Sequence, residues 1–103
     1  MEVNGEKTVN IDGKDCWTIR QFSNLTGFSE SRIRYLTYYG NSQRKLESIS
    51  FGANKPMIVA SELFDFPFTV PGRPVNGVGT IAIKFFLTAE GGLSFKEVVL
   101  AEE

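Results

Sequence analysis

The stretch that decides the reading is residues 17–39, WTIRQFSNLTGFSESRIRYLTYY, which writes two short helices around a compact turn. Ile19, Phe22 and Leu25 recur at helical spacing, and Thr18 stands before them as an N-cap whose hydroxyl accepts a backbone N–H. Thr26-Gly27 ends this helix, since glycine takes the positive φ of a helix terminus without a Cβ penalty, and Phe28 follows as a core plug. Ser29 then caps a second helix, Glu30 suits its positive end, and Ile33 with Leu36 forms an inward edge. Two helices joined by so short a glycine-containing turn are a candidate helix-turn-helix.

At about 100° per residue, the side of the second helix opposite Ile33 collects Ser31, Tyr35 and Tyr38, with Arg34 on one flank and Arg32 and Tyr39 on the other. A recognition helix needs donors for base edges and guanidinium groups for phosphates, and this side offers both. The same residues also fit a solvated helix face, with Glu30 and Arg34 as an i,i+4 pair.

Carried by Thr18, Ile19, Thr26, Gly27, Ser29, Ile33 and Arg34, with Tyr35 behind the arginine, the run TIRQFSNLTGFSESRIRY resembles the helix-turn-helix of MerR-type regulators and of excisionase-like and AlpA-like phage proteins. That resemblance implies a winged helix-turn-helix that reads double-stranded DNA. A MerR-type regulator continues into a long dimerising helix and an effector domain. These 103 residues contain neither, so the small excisionase-like or phage regulator is the closer likeness.

Outward from the helices, Asp12-Gly13 predicts a turn pairing residues 9–11 with Cys16 and Trp17, behind a weakly alternating start in which Gly5 is a further turn signal. Residues 40–42 stop the second helix, and Gln43-Arg44-Lys45 makes a cationic loop. Leu46, Ile49 and Phe51 lead to a tip at residues 52–56, and Met57-Ile58-Val59 returns. Strand, glycine-containing tip, strand is how a wing is written. Arg44, Lys45 and Lys55 would then lie along phosphates and hold register; an ordinary hairpin with a solvated lysine at its tip fits the same residues. Ser61 or Ala60 can begin a helical turn that carries Leu63 and Phe64 inward.

Residues 63–71 alternate aromatics at Phe64, Phe66 and Phe68 before Pro71, an extended edge segment that could also serve as a docking strip for a partner protein. A loop over residues 71–77 leads to a hairpin in which Ile81, Ile83, Phe85 and Leu87 alternate with Ala82, Lys84, Phe86 and Thr88. Glu90-Gly91-Gly92 forms its turn and residues 93–100 return. Both faces of its first strand carry apolar residues and must be covered, so the hairpin either packs between the N-terminal part and a second element of the same single domain or forms a homodimer interface; the dimer reading places Ile81, Ile83, Phe85 and Phe86 at the interface and would set two recognition helices on successive turns of a palindromic site.

Composition narrows the classes. Net charge is −1, yet residues 14–55 carry seven Lys or Arg against three acids, a net of +4, so the cations gather on the helix pair and the segment after it. A single cysteine forbids an internal disulfide, and the absence of histidine removes the usual zinc and general-base chemistry. Cys16 reads as core packing. No nucleophile–base pair, metal-ligand spacing or phosphate-binding glycine loop occurs, and Gly77-Val78-Gly79 lacks the third glycine. No apolar run reaches membrane-spanning length.

The expected fold is α+β, a winged helix-turn-helix over residues 1–70 with a C-terminal β-hairpin over residues 71–103. The expected function is a cytoplasmic, sequence-specific DNA-binding protein, regulator or excision factor, without cofactor, catalysis, membrane partner or small-molecule substrate. A phage inhibitor or adaptor that binds protein through residues 64–68 or the C-terminal hairpin is the alternative. A single-strand or RNA binder that stacks bases on its aromatics is a third reading.

Overall fold

In a computed structural model of the chain, which describes residues 1–50, 55–69 and 80–100, two Asn/Asp-Gly turns open the fold. Asn4-Gly5 and Asp12-Gly13 all adopt positive φ (49°, 82°, 50° and 85°), the backbone that matches the twist of paired strands. They join β1 (Glu2–Val3) to β2 (Glu6–Lys7) and β3 (Val9–Ile11) to β4 (Lys14–Trp17). Val9 lies opposite Cys16, as the turn requires.

Two helices follow, α1 (Ile19–Thr26) and α2 (Glu30–Tyr38). Thr18 and Gln21 form a reciprocal capping box, each backbone N–H donating to the other's side-chain oxygen at 3.0 Å. Gly27 closes α1 at φ 81°, and Ser29 caps α2 by accepting the Arg32 N–H at 3.1 Å. Two further bonds fix the connecting turn: Ser23 donates to the Phe28 carbonyl at 2.6 Å, and Thr26 Oγ1 accepts the Phe28 N–H at 3.2 Å.

Beyond α2 come β5 (Ser48–Ser50), β6 (Pro56–Val59), the single-turn α3 (Glu62–Asp65), β7 (Phe68–Thr69), β8 (Thr80–Leu87) and β9 (Leu93–Leu100). The second sheet has the order β3-β4-β6-β5 and the third β7-β8-β9, with every pairing antiparallel. Thus β6 pairs with β5 on one side and with β4, the strand that leads into α1, on the other. The strand expected over Leu46 to Phe51 is seen as β5 and the return strand expected at Met57 to Val59 as β6; residues 51–54, with most of the expected tip at residues 52–56, and the loop at residues 71–77 lie outside the described residues.

The core explains these positions. Trp17, Phe22, Ile33, Ile58, Leu63, Phe66 and Phe68 are wholly buried in one cluster, which Leu25, Leu36, Leu46 and Phe85 complete. The buried Trp17 indole donates to the Ala60 carbonyl at 3.3 Å, tying β4 to the segment after β6. Cys16 packs with Ile11 and Met57 in a smaller cluster across the second sheet.

The aromatic strip at residues 64–68 is interior. Phe66 and Phe68 meet edge to face with ring centres 4.9 Å apart, Phe68 also meets Phe28 at 5.1 Å and Phe85 at 5.6 Å, and Phe64 is half-buried against the same core. Leu63 to Asp65 form a helical turn instead of extended chain, because that turn carries Leu63 inward and leaves β7 to pair with β8. The chain is therefore a small α+β fold with three helices and three sheets among the described residues.

Candidate nucleic-acid interface

The exposed side of α2 is set by its buried side. Ile33 and Leu36 sit in the core, and Thr37 is buried with its hydroxyl donating to the Ile33 carbonyl at 2.8 Å. Helical geometry then turns Ser31, Arg34, Tyr35 and Tyr38 toward solvent, and all four are exposed. Tyr35 is 59% and Tyr39 71% exposed, and their rings pack against each other at 5.0 Å, an i,i+4 pair. Arg34 reaches Glu30 at 3.5 Å, with both side chains about half exposed. Such a surface ion pair contributes little to stability and releases its guanidinium readily.

Arg32 has a different place from the one expected. It is half-buried, its guanidinium lies 4.5 Å from the centre of the Phe28 ring, and it donates to the Thr69 carbonyl at 3.2 Å. The flank of α2 that carries it faces the α1–α2 turn and β7, so Arg32 fastens the helix to the body of the protein.

Arg44 also departs from its expected role. It forms a two-pronged bond to Glu62, at 2.6 Å to Oε2 and 2.8 Å to Oε1, and its guanidinium lies 5.0 Å from the Phe66 ring centre. Glu62 is only 4% exposed and additionally accepts the Glu47 N–H at 2.7 Å. The hydrogen bond to Glu62 raises the Arg44 pKa above its ordinary value, against the lowering effect of burial. This guanidinium ties the loop before β5 to α3 and is not a free phosphate ligand. Lys45 and Lys55 are exposed, and among the described residues neither joins a salt bridge.

The loop between α2 and β5 is held firmly. Gly40 has φ 78°, the Asn41 side chain donates to the Pro67 carbonyl at 2.8 Å and accepts the Gln43 N–H at 2.8 Å, and Leu46 N–H donates to the Leu36 carbonyl at 3.0 Å. The exposed end of α2 and the start of the β5–β6 hairpin are therefore connected through a short, bonded segment.

Of the residues expected at a dimer interface, Phe85 is buried and Ile83 packs against the core, so both serve the protein's own interior. Ile81 is half-buried and Phe86 is exposed. The third sheet lays one face of β8 on the aromatic cluster, which period-two alternation cannot assign when both faces are apolar.

Tyr39 belongs with the exposed face although its position on the flank did not single it out; its four-residue spacing from Tyr35 is the signal. Glu62, the partner of Arg44, carried no local signal. Burial pushes the Cys16 thiol pKa up, and the neighbouring Asp15 adds to the rise. Among the described residues no group of three or more His, Cys, Asp or Glu could hold a metal, and no helix is long and apolar enough to cross a membrane. Comparison with protein families, with curated proteins and with solved structures gives no match.

Proposed function

We propose that this protein binds double-stranded DNA sequence-specifically through a winged helix-turn-helix, as a transcriptional regulator or an excisionase-type architectural factor of a phage or mobile element. In this reading α2 enters the major groove, and Ser31, Arg34, Tyr35, Tyr38 and Tyr39 meet base edges and flanking phosphates. The β5–β6 hairpin is the wing, with Lys45 and Lys55 toward the phosphate backbone. The observation that carries the proposal is the division of α2 into a buried aliphatic side and an exposed side bearing one available guanidinium and three phenols. The strand order, with β6 between β5 and the strand that feeds α1, supports it. Arg32 and Arg44 are excluded from the contact set because each is held by other groups of the protein.

The test is a gel shift on a library of genomic fragments, repeated with Arg34→Ala and Tyr35→Ala. Specific complexes are expected with the native chain, lost or strongly weakened in both variants, with affinity falling steeply as salt rises. A native chain that forms no specific complex at low salt, or variants that bind as the native chain does, would overturn the proposal. Either result would favour the protein-binding alternative, in which the C-terminal hairpin is the contact surface.

A further inference from the structure

Strand β7 begins the order β7-β8-β9, and its outer edge is occupied by side chains of the helix-turn-helix. At the turn of the C-terminal hairpin the Thr88 N–H donates to the Gly92 carbonyl at 2.9 Å, which sets the alternation of the ladder: Ala82 exchanges hydrogen bonds with Val98, and Ile83 turns its peptide groups toward Phe68. Pro67 and Thr69, on either side of Phe68, therefore present their carbonyls on the edge away from β8. Both carbonyls are bonded from the ends of α2. Arg32, in its first turn, donates to the Thr69 carbonyl at 3.2 Å, and Asn41, just past its last residue, donates to the Pro67 carbonyl at 2.8 Å. Arg44 continues the series on the Glu62 carboxylate. As the donors advance from residue 32 to 44 their partners retreat from 69 to 62, so this segment runs antiparallel to α2 and the loop after it. The segment is itself anchored, since Phe66 and Phe68 are wholly buried and the Phe28 ring meets both Phe68, at 5.1 Å, and the Arg32 guanidinium, at 4.5 Å.

We infer that residues 66–69 are a brace that sets the tilt of α2, and that Arg32 and Asn41 are positioning residues for sequence recognition; the bearing on DNA rests on the reading proposed above. The buried Ile33 and Leu36 fix which side of α2 faces the core, but apolar contact is non-directional and tolerates a small rotation or slide of the helix. A hydrogen bond at each end of a nine-residue helix is directional and removes that freedom. The two modes of DNA contact depend differently on such freedom. Base edges are read by hydrogen bonds, which fail within about 1 Å of displacement, whereas phosphates attract a cation over a Debye length of about 8–10 Å. Both positioning side chains are half-buried and turned to the protein, so neither adds a phosphate contact of its own. The brace therefore contributes to specific binding and leaves attraction to the phosphate backbone unchanged.

The test compares the full chain with Arg32→Met, Arg32→Lys and Asn41→Asp by hydrogen exchange and by DNA titration. Asn41→Asp keeps the oxygen that accepts the Gln43 and Arg44 N–H groups and loses only the donor to Pro67, so it carries the test if Arg32→Met fails to fold. Amides of α2 are expected to exchange about tenfold faster in Arg32→Met and Asn41→Asp with those of α1 unchanged, and Arg32→Lys, which keeps a cation and a donor, to recover most of the protection. On the fragment that the native chain selects, affinity should fall about ten- to a hundredfold in Arg32→Met and Asn41→Asp, with binding to a scrambled fragment and the salt slope unchanged. Native exchange rates across α2 in both variants would overturn the inference. So would equal losses on both fragments with a salt slope reduced by about one, which would make Arg32 a phosphate ligand. A native chain that selects no fragment counts against the DNA reading alone, and the exchange rates then decide whether the brace holds α2.

Discussion

Replacing Glu62 by Gln removes a charge from the most buried ionic contact among the described residues while keeping the side chain's size. The carboxylate accepts two bonds from Arg44 and one from Glu47 N–H. Glutamine keeps a single carbonyl oxygen, which can hold the bonds made by Oε2, but its amide then presents a donor to the second guanidinium nitrogen. One charge-assisted bond, about 1.5–3 kcal/mol, is lost, and a donor faces a donor. The Arg44 side chain is 42% exposed, so water relieves part of the mismatch, and we expect about 2–3 kcal/mol of destabilisation. For a domain of this size that is roughly 10–20 °C in Tm. Arg44→Met strands the carboxylate instead and is expected to cost about 3 kcal/mol or more. The double variant Glu62→Gln/Arg44→Met should be less destabilised than the two single losses together, by a coupling of about 1–3 kcal/mol. Urea unfolding of the four proteins at constant m value measures this. Coupling below about 0.5 kcal/mol would refute the argument that the pair acts as a unit.

Two glycines with nearly the same backbone should respond differently. Gly27→Ala, at φ 81° in open space, is expected to cost only the positive-φ penalty of about 1–2 kcal/mol, whereas at Gly40, φ 78°, a Cβ would stand 2.6 Å from the Arg44 carbonyl oxygen, raising the cost to about 2–5 kcal/mol by urea unfolding. Cys16, buried with its thiol pKa raised, should resist iodoacetamide in the native protein and react on unfolding; since the raised pKa favours the neutral thiol, the native reaction should be slower than that of a free thiol at each pH from about 7 to 9 and should go on rising beyond the pH at which the free thiol's rate levels off.

Much of the helix pair was legible because its signals are local. Thr18, Gly27 and Ser29 each act within three or four residues, and each occupies the cap that its chemistry dictates. The Asp12-Gly13 turn, and the alternation of residues 81–88 with the turn at Glu90-Gly91-Gly92, likewise placed their hairpins. The candidate site was legible in part: the wheel of α2 set Arg34, Tyr35 and Tyr38 outward, yet set Arg32 outward as well. An amphipathic pattern distinguishes inside from outside but does not say what packs beside a flank.

Sequence alone determined where the helices start and stop and which side of α2 is aliphatic, because capping and helical periodicity depend on neighbours a turn or two away. Tertiary structure alone decided the fate of the cations and aromatics. Arg44 meets Glu62 across 18 residues of chain and Arg32 meets Thr69 across 37. The 64–68 aromatics went inside because β7 pairs with β8 over the core. Such partners are chosen by what folding brings together, and no short window of sequence contains both members of the pair.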